Sequence, residues 1–174
     1  MEEKEILEKM PLKMTVSKGP KGWFVTANFN VVAVEGGFTC DSATACIDRP
    51  PSLNDAIAVA MDFINSKTDA RILSGYQWSV LHGKDSGRMV NAYLSKENRE
   101  NIKAKYDLAI SKPELVPFPL KYKISEEEDT TPIYEYFQNA SELETFHIGS
   151  LNFIDSCINE GWSEKDAARA WFNE

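Results

Sequence analysis

Apolar and polar residues alternate with a period of two from Trp23 to Val34. Trp23, Val25, Ala27, Phe29, Val31 and Ala33 fall on one side, and Thr26, Asn28 and Asn30 on the other. That alternation predicts a half-buried strand. Glu35-Gly36-Gly37 supplies a turn that tolerates positive φ, and a returning strand ends at Arg49-Pro50-Pro51. With the turn at Gly36-Gly37, Phe38 faces Glu35 and Cys40 faces Ala33. Ser42, Thr44 and Cys46 then share the side of Val31, Phe29 and Ala27. Upstream, the pattern predicts a strand over Leu12–Ser17 followed by a turn at Lys18–Gly22. Glu2 to Met10 predicts a short helix stopped by Pro11.

Ser52 with Asp55 three residues later resembles a capping box and opens a helix running to about Ser66. Leu53, Ile57, Met61 and Ile64 repeat at helical spacing, widened by Val59 and Phe63, so this helix is expected to lie mostly buried across the sheet. A second hairpin follows, with Tyr76, Trp78 and Val80 alternating, a Gly83–Gly87 loop and a return over Met89–Leu94. Ser95 to about Ser111 predicts an amphipathic helix with Ile102, Tyr106, Ala109 and Ile110 inward. Pro113, Pro117 and Pro119 break regular structure, and Leu120–Ile124 fits an edge strand. After Glu126–Asp129 the spacing becomes helical. Ile148, Leu151, Ile154 and Ile158 lie on one face, Gly161 suits a helix end, and Ser163 suits the start of another. The expected fold is α+β: an antiparallel sheet of two hairpins packed by two helices, followed by a C-terminal helical hairpin. Residues 1–124 form the α+β body and 125–174 an acidic helical region packed on or appended to it.

Composition leaves that picture unchanged, and charge sharpens it. The chain has 174 residues, 43% of them hydrophobic and 11% aromatic, as a globular protein of one domain has. No apolar run approaches the ~20 residues that cross a bilayer, and Met1-Glu2-Glu3-Lys4-Glu5 is too acidic for a signal peptide. A cytoplasmic protein without membrane contact is expected. Cys40, Cys46 and Cys157 are odd in number, which argues for free, mostly buried thiols rather than a secreted disulfide framework. The net charge is −8. Residues 125–174 hold 12 acidic residues against Lys165 and Arg169, a net of −10, whereas the remainder holds 15 acidic and 17 basic.

Little in the chain points to chemistry. Two histidines, His82 and His147, and no CxxC pair fall short of a zinc site, and no cofactor or metal is expected. Cys157 and His147 stand ~15 Å apart in rise on one helix, too far for a nucleophile–base pair. Gly83-Lys84-Asp85-Ser86-Gly87-Arg88 lacks the order of a phosphate loop. Asp55 and Asp62 are ~10 Å apart on their helix, against the ~4 Å between the ions of a two-metal site. His82, beside Asp85 and Ser86, is the one candidate for acid–base catalysis and supports an alternative reading as a small enzyme.

The binding features are more distinctive. Glu126, Glu127, Glu128, Asp129, Glu135, Glu142 and Glu144 accompany Tyr134 and Tyr136, and such a mixture of acids and aromatics suits docking. The expectation is a non-enzymatic protein-interaction module, with a partner of basic surface. Its concrete form is an inhibitor or regulator of a nucleic-acid-handling protein. A further alternative is nucleic-acid binding by the basic 96–123 segment, with Tyr76 and Trp78 stacking on bases. The acids interleaved in that segment and the acidic chain speak against it.

Overall fold

The computed structural model describes residues 10–174, so the helix expected over 2–10 lies, but for Met10, outside them. The chain folds as an α+β protein with seven strands and three long helices among these residues. They run in the order β1 (Met14–Gly19), β2 (Gly22–Val34), β3 (Gly37–Ile47), α1 (Leu53–Leu73), β4 (Tyr76–Ser79), β5 (Met89–Ala92), α2 (Lys96–Ser111), a 3-10 turn (Pro113–Leu115), β6 (Leu120–Glu126), β7 (Pro132–Phe137) and α3 (Ala140–Asn173). Two compact units result, one of residues up to 68 together with 159–174, the other of residues 69–158. The division falls inside α1 and inside α3, while position 124/125 lies within β6.

In the first unit, β1, β2 and β3 make an antiparallel sheet with β2 central. The alternation in β2 buries Val25, Ala27 and Phe29, and Ala56, Ala60 and Ile64 of α1 with Ala168 and Phe172 of α3 complete that core. Ala56 and Ala60 therefore share the buried line of α1 with Ile64 of the expected stripe, whereas Leu53 and Phe63 of that stripe are exposed. Asp55 accepts from the Ser52 N–H and hydroxyl and from Arg49, securing the start of α1.

The β2–β3 register differs from the expected one. The turn is Glu35-Gly36, with Gly36 at φ +85 and Val34 facing Gly37. A bulge between Phe29 and Val32, with Asn30 at φ 51, shifts the pairing again. Phe29 then faces Asp41, Ala27 faces Ala43 and Val25 faces Ala45. An odd shift moves every side chain to the other face. Ser42 and Thr44 point outward, and Cys40 and Cys46 are exposed rather than buried; Cys157 is buried.

The second unit holds two antiparallel hairpins, β4–β5 and β6–β7, where one sheet of two hairpins was expected for the whole protein. The Tyr93 N–H donates to the Ile124 carbonyl at 2.9 Å between them. Tyr76, Trp78, Phe137 and Phe146 meet in the core, and the Tyr76 hydroxyl donates to the Phe146 carbonyl at 2.9 Å. Ser95 caps α2 by accepting from the Asn98 N–H, and Ile102 and Ala109 are buried on it, whereas Ile110 is exposed.

Two expectations for the C-terminal region need correction. Residues 132–137 form a strand, since Ile133, Glu135 and Phe137 are buried in alternation with Tyr134 and Tyr136. The helical hairpin is instead one 34-residue helix, α3. It runs through Gly161 because that residue packs on α1, where a Cβ would collide with Thr68 Oγ1. No helix among the described residues is long and apolar enough to cross a membrane.

Candidate functional site

The acidic and aromatic residues singled out from the sequence are brought together around β6, β7 and the start of α3, but mostly as internal partners. Glu135 has no exposed surface. Its Oε2 accepts from Trp78 Nε1 at 2.9 Å and the Leu81 N–H at 2.7 Å. Its Oε1 accepts from the His82 N–H at 3.0 Å and the Tyr136 N–H at 2.9 Å. An exposed anchor was expected here. Strand parity puts the side chain inward, where four N–H groups replace its water.

Glu142 occupies the third position of α3, after Asn139, whose side chain accepts from the Glu142 N–H. Its carboxylate accepts from the Gln138 N–H and the Asn139 amide and lies 3.1–3.2 Å from His82 Nε2. Burial pushes this carboxyl up, and the bonds from Gln138, His82 and Asn139 outweigh it, so it stays below its ordinary range. His82 is thereby tied to a helix cap, and the Ser86 hydroxyl donates to the Leu81 carbonyl.

Arg88 grips Glu127 with both terminal guanidinium nitrogens, Nη1 and Nη2, and this pairing is the main reason the Glu127 carboxyl lies below its usual range. Lys123 pairs with Glu126 at 2.7 Å. Asp129 accepts from the Thr131 N–H in a local turn, which lowers its pKa. Glu144 accepts from the Tyr106 hydroxyl at 3.1 Å, which raises the phenol's pKa. Lys121 stands 3.9 Å over the Tyr134 ring and 6.0 Å over that of Tyr136. Glu128 is exposed. Tyr76 and Trp78, considered for base stacking, face the core.

The surface that the sequence reading missed lies between α2 and α3. A groove of about 410 Å³ is lined by Lys96, Arg99, Glu100 and Lys103 of α2 and by His147, Ser150, Leu151 and Ile154 of α3. Lys96, Arg99 and Lys103 recur at three-to-four spacing and so share one helix face. Arg99 Nε is buried without a hydrogen-bond acceptor. The His147 ring stacks on Tyr106 with centroids 4.8 Å apart, and burial pushes its pKa below the ordinary histidine value. Ile148 and Leu151, three residues apart on α3, are both about 45% exposed. The basic spacing of α2 and the apolar spacing of α3 were each visible in the sequence, but not that the two face each other.

Among the described residues no group of three or more histidine, cysteine, aspartate and glutamate side chains is placed to hold a metal ion. Comparison with protein-family models, curated proteins and solved structures finds no match to the chain.

Proposed function

We propose that the chain is a non-enzymatic interaction module whose α2–α3 groove takes an acidic, amphipathic segment of a protein partner. The observation that carries this is the groove itself, with three basic side chains beside apolar Leu151 and Ile154. Its volume is in the range of well-formed binding clefts, about 300–1,000 Å³. A groove between two helices suits an amphipathic helix, with apolar anchors in the floor and carboxylates at the rim. A carboxylate from such a segment would also supply the acceptor that the buried Arg99 Nε lacks.

Docking of a basic partner on the acidic segment has less support, because Glu135 has no exposed surface and Glu142 is held in the cap of α3. A regulator of a nucleic-acid-handling protein is compatible with the groove, since such regulation needs only a protein contact. The enzyme reading has less support still. His82 bonds to Glu142, and the nearest sequence candidate for a nucleophile, Ser86, donates to a backbone carbonyl.

The test is a fluorescence titration with a labelled helical peptide carrying Leu and Glu pairs at alternating turns. Binding should weaken about tenfold or more in Arg99→Glu with Lys103→Glu, and it should fall as salt rises. Lys84→Glu, on the exposed β4–β5 loop, should leave it unchanged. A wild-type protein that ignores the peptide, or an equal loss in the Lys84 variant, counts against the groove.

A further inference from the structure

The outer edge of β3 is open: no strand of the described residues pairs with it, as β3 ends the order β1-β2-β3. Which backbone groups it offers follows from the ladder. The Asn28 N–H donates to the Lys13 carbonyl, toward β1. Because the two edges of a strand alternate, Ala27 and Val25 turn to β3 and bond with Ala43 and Ala45, their register partners. Cys40, Ser42, Thr44 and Cys46 therefore present their N–H and C=O groups outward.

Strand edges of this kind usually carry lysine, proline or an inward charge that deters pairing. Gly37–Ile47 has no lysine, arginine or proline. Its one charge, Asp41, sits on the other face, bonded to Asn30 and paired with Lys67. The outward face is a short neutral row of small side chains, Cys40, Ser42, Thr44 and Cys46, all exposed.

The row is also self-complementary. Cys40 and Cys46 stand at equal distances in sequence on either side of Ala43. In an antiparallel pairing of β3 with β3 of a second copy about a two-fold axis at Ala43, Cys40 faces Cys46 of the second copy, and Ser42 faces its Thr44. Residues that exchange both backbone bonds across an antiparallel pair have Cα atoms ~5.5 Å apart. That separation lies within the ~4.4–6.8 Å of a disulfide. Within one chain the two cysteines are ~20 Å apart along the strand and cannot bridge. We propose that β3 is a homodimer edge, joining two three-stranded sheets into one of six, with Cys40 of each copy opposite Cys46 of the other.

Oxidised glutathione tests this on the full chain. The Cys40 thiol loses its proton and attacks the glutathione disulfide, releasing one reduced glutathione. The Cys46 thiolate of the second copy then attacks the mixed disulfide and releases the other. Two protein thiols are oxidised and one glutathione disulfide is reduced for each bond formed. The wild type should give a dimer on a non-reducing gel, with a Cys40–Cys46 peptide on digestion. Cys40→Ser alone and Cys46→Ser alone should each lose the dimer, because each variant lacks one side of both bonds. Mixing the two variants should restore a singly linked dimer. Under reducing conditions the wild type should sediment as a dimer in equilibrium with monomer. Thr44→Pro, which removes an outward N–H and no backbone bond to β2, losing there only the hydroxyl pair with Thr26, should sediment as monomer with unchanged circular dichroism. Persistence of the cross-linked dimer in either single variant, failure of the mixture to cross-link, or a wild type that neither cross-links nor associates overturns the proposal.

Discussion

Glu135 shows how little of a side chain's role is carried by its charge alone. Its two oxygens take four N–H donors, three of them from Trp78, Leu81 and His82 of the β4 end. Replacing it by alanine leaves those three without their acceptor, at about 1–3 kcal/mol for each that water does not reach. Glu135→Ala should therefore lower stability by about 3 kcal/mol or more. Glu135→Gln, which keeps one acceptor oxygen and turns an amide NH2 toward the other donors, should lose less. Urea unfolding followed by circular dichroism reads both, and an unshifted midpoint in the alanine variant would contradict the buried role. In the sequence Glu135 is the lone acid between Asp129 and Glu142, and its charge hides that every second residue of 133–137 is buried. Only the alternation of Ile133 and Phe137 around it could have revealed its inward orientation.

Elements were legible where the hydrophobic period was long and failed where one residue broke it. β2, the β4–β5 hairpin and α2 were readable from their patterns. β7 was not, since Pro132 and an acid in the buried phase masked a strand of six. The β2–β3 register was lost to a bulge that depends on Asn30 adopting φ 51, which no composition rule announces. Gly161 looked like a helix end because glycine usually marks one. Here it is a contact point between α1 and α3, against a Thr68 hydroxyl that is buried without a partner. Gly161→Ala gains about 1 kcal/mol of helix propensity and meets Thr68 at a cost of about 1–3 kcal/mol, so a net loss of up to about 2 kcal/mol is expected from the overpacking. Adding Thr68→Ala should recover most of that loss, and thermal unfolding of the four members of the cycle measures the coupling. Equal effects of Gly161→Ala in both backgrounds would rule the contact out as the cause.

At the scale of the molecule, the acidic block of the sequence does not belong to one unit. Its residues are divided, those up to 158 in one unit and 159–174 in the other. Sequence order suggested a body of residues 1–124 with 125–174 packed on or appended to it; the first unit itself is assembled from residues up to 68 and 159–174. Ala168 and Phe172 are buried in its core, and Trp171 Nε1 donates to the Asn28 carbonyl at 2.8 Å. A chain stopped after Ile158 keeps every residue of the second unit and loses these three. Hydrogen exchange should then show the amides of β2 unprotected while those of β4–β7 stay protected. Retained protection in β2 would show that the sheet and α1 suffice without the C-terminal turns.

That discontinuity sets an order of events during synthesis. β1, β2, β3 and the start of α1 leave the ribosome before the second unit, with Val25, Ala27 and Phe29 ready to be covered. The residues that finish the cover come only after all of 69–158 has been translated. At about 5–20 residues per second this is a wait of several seconds or longer. Throughout it, the nascent chain carries an unfinished apolar sheet face beside the bare edge of β3, which makes this interval the time when a holding chaperone would matter most.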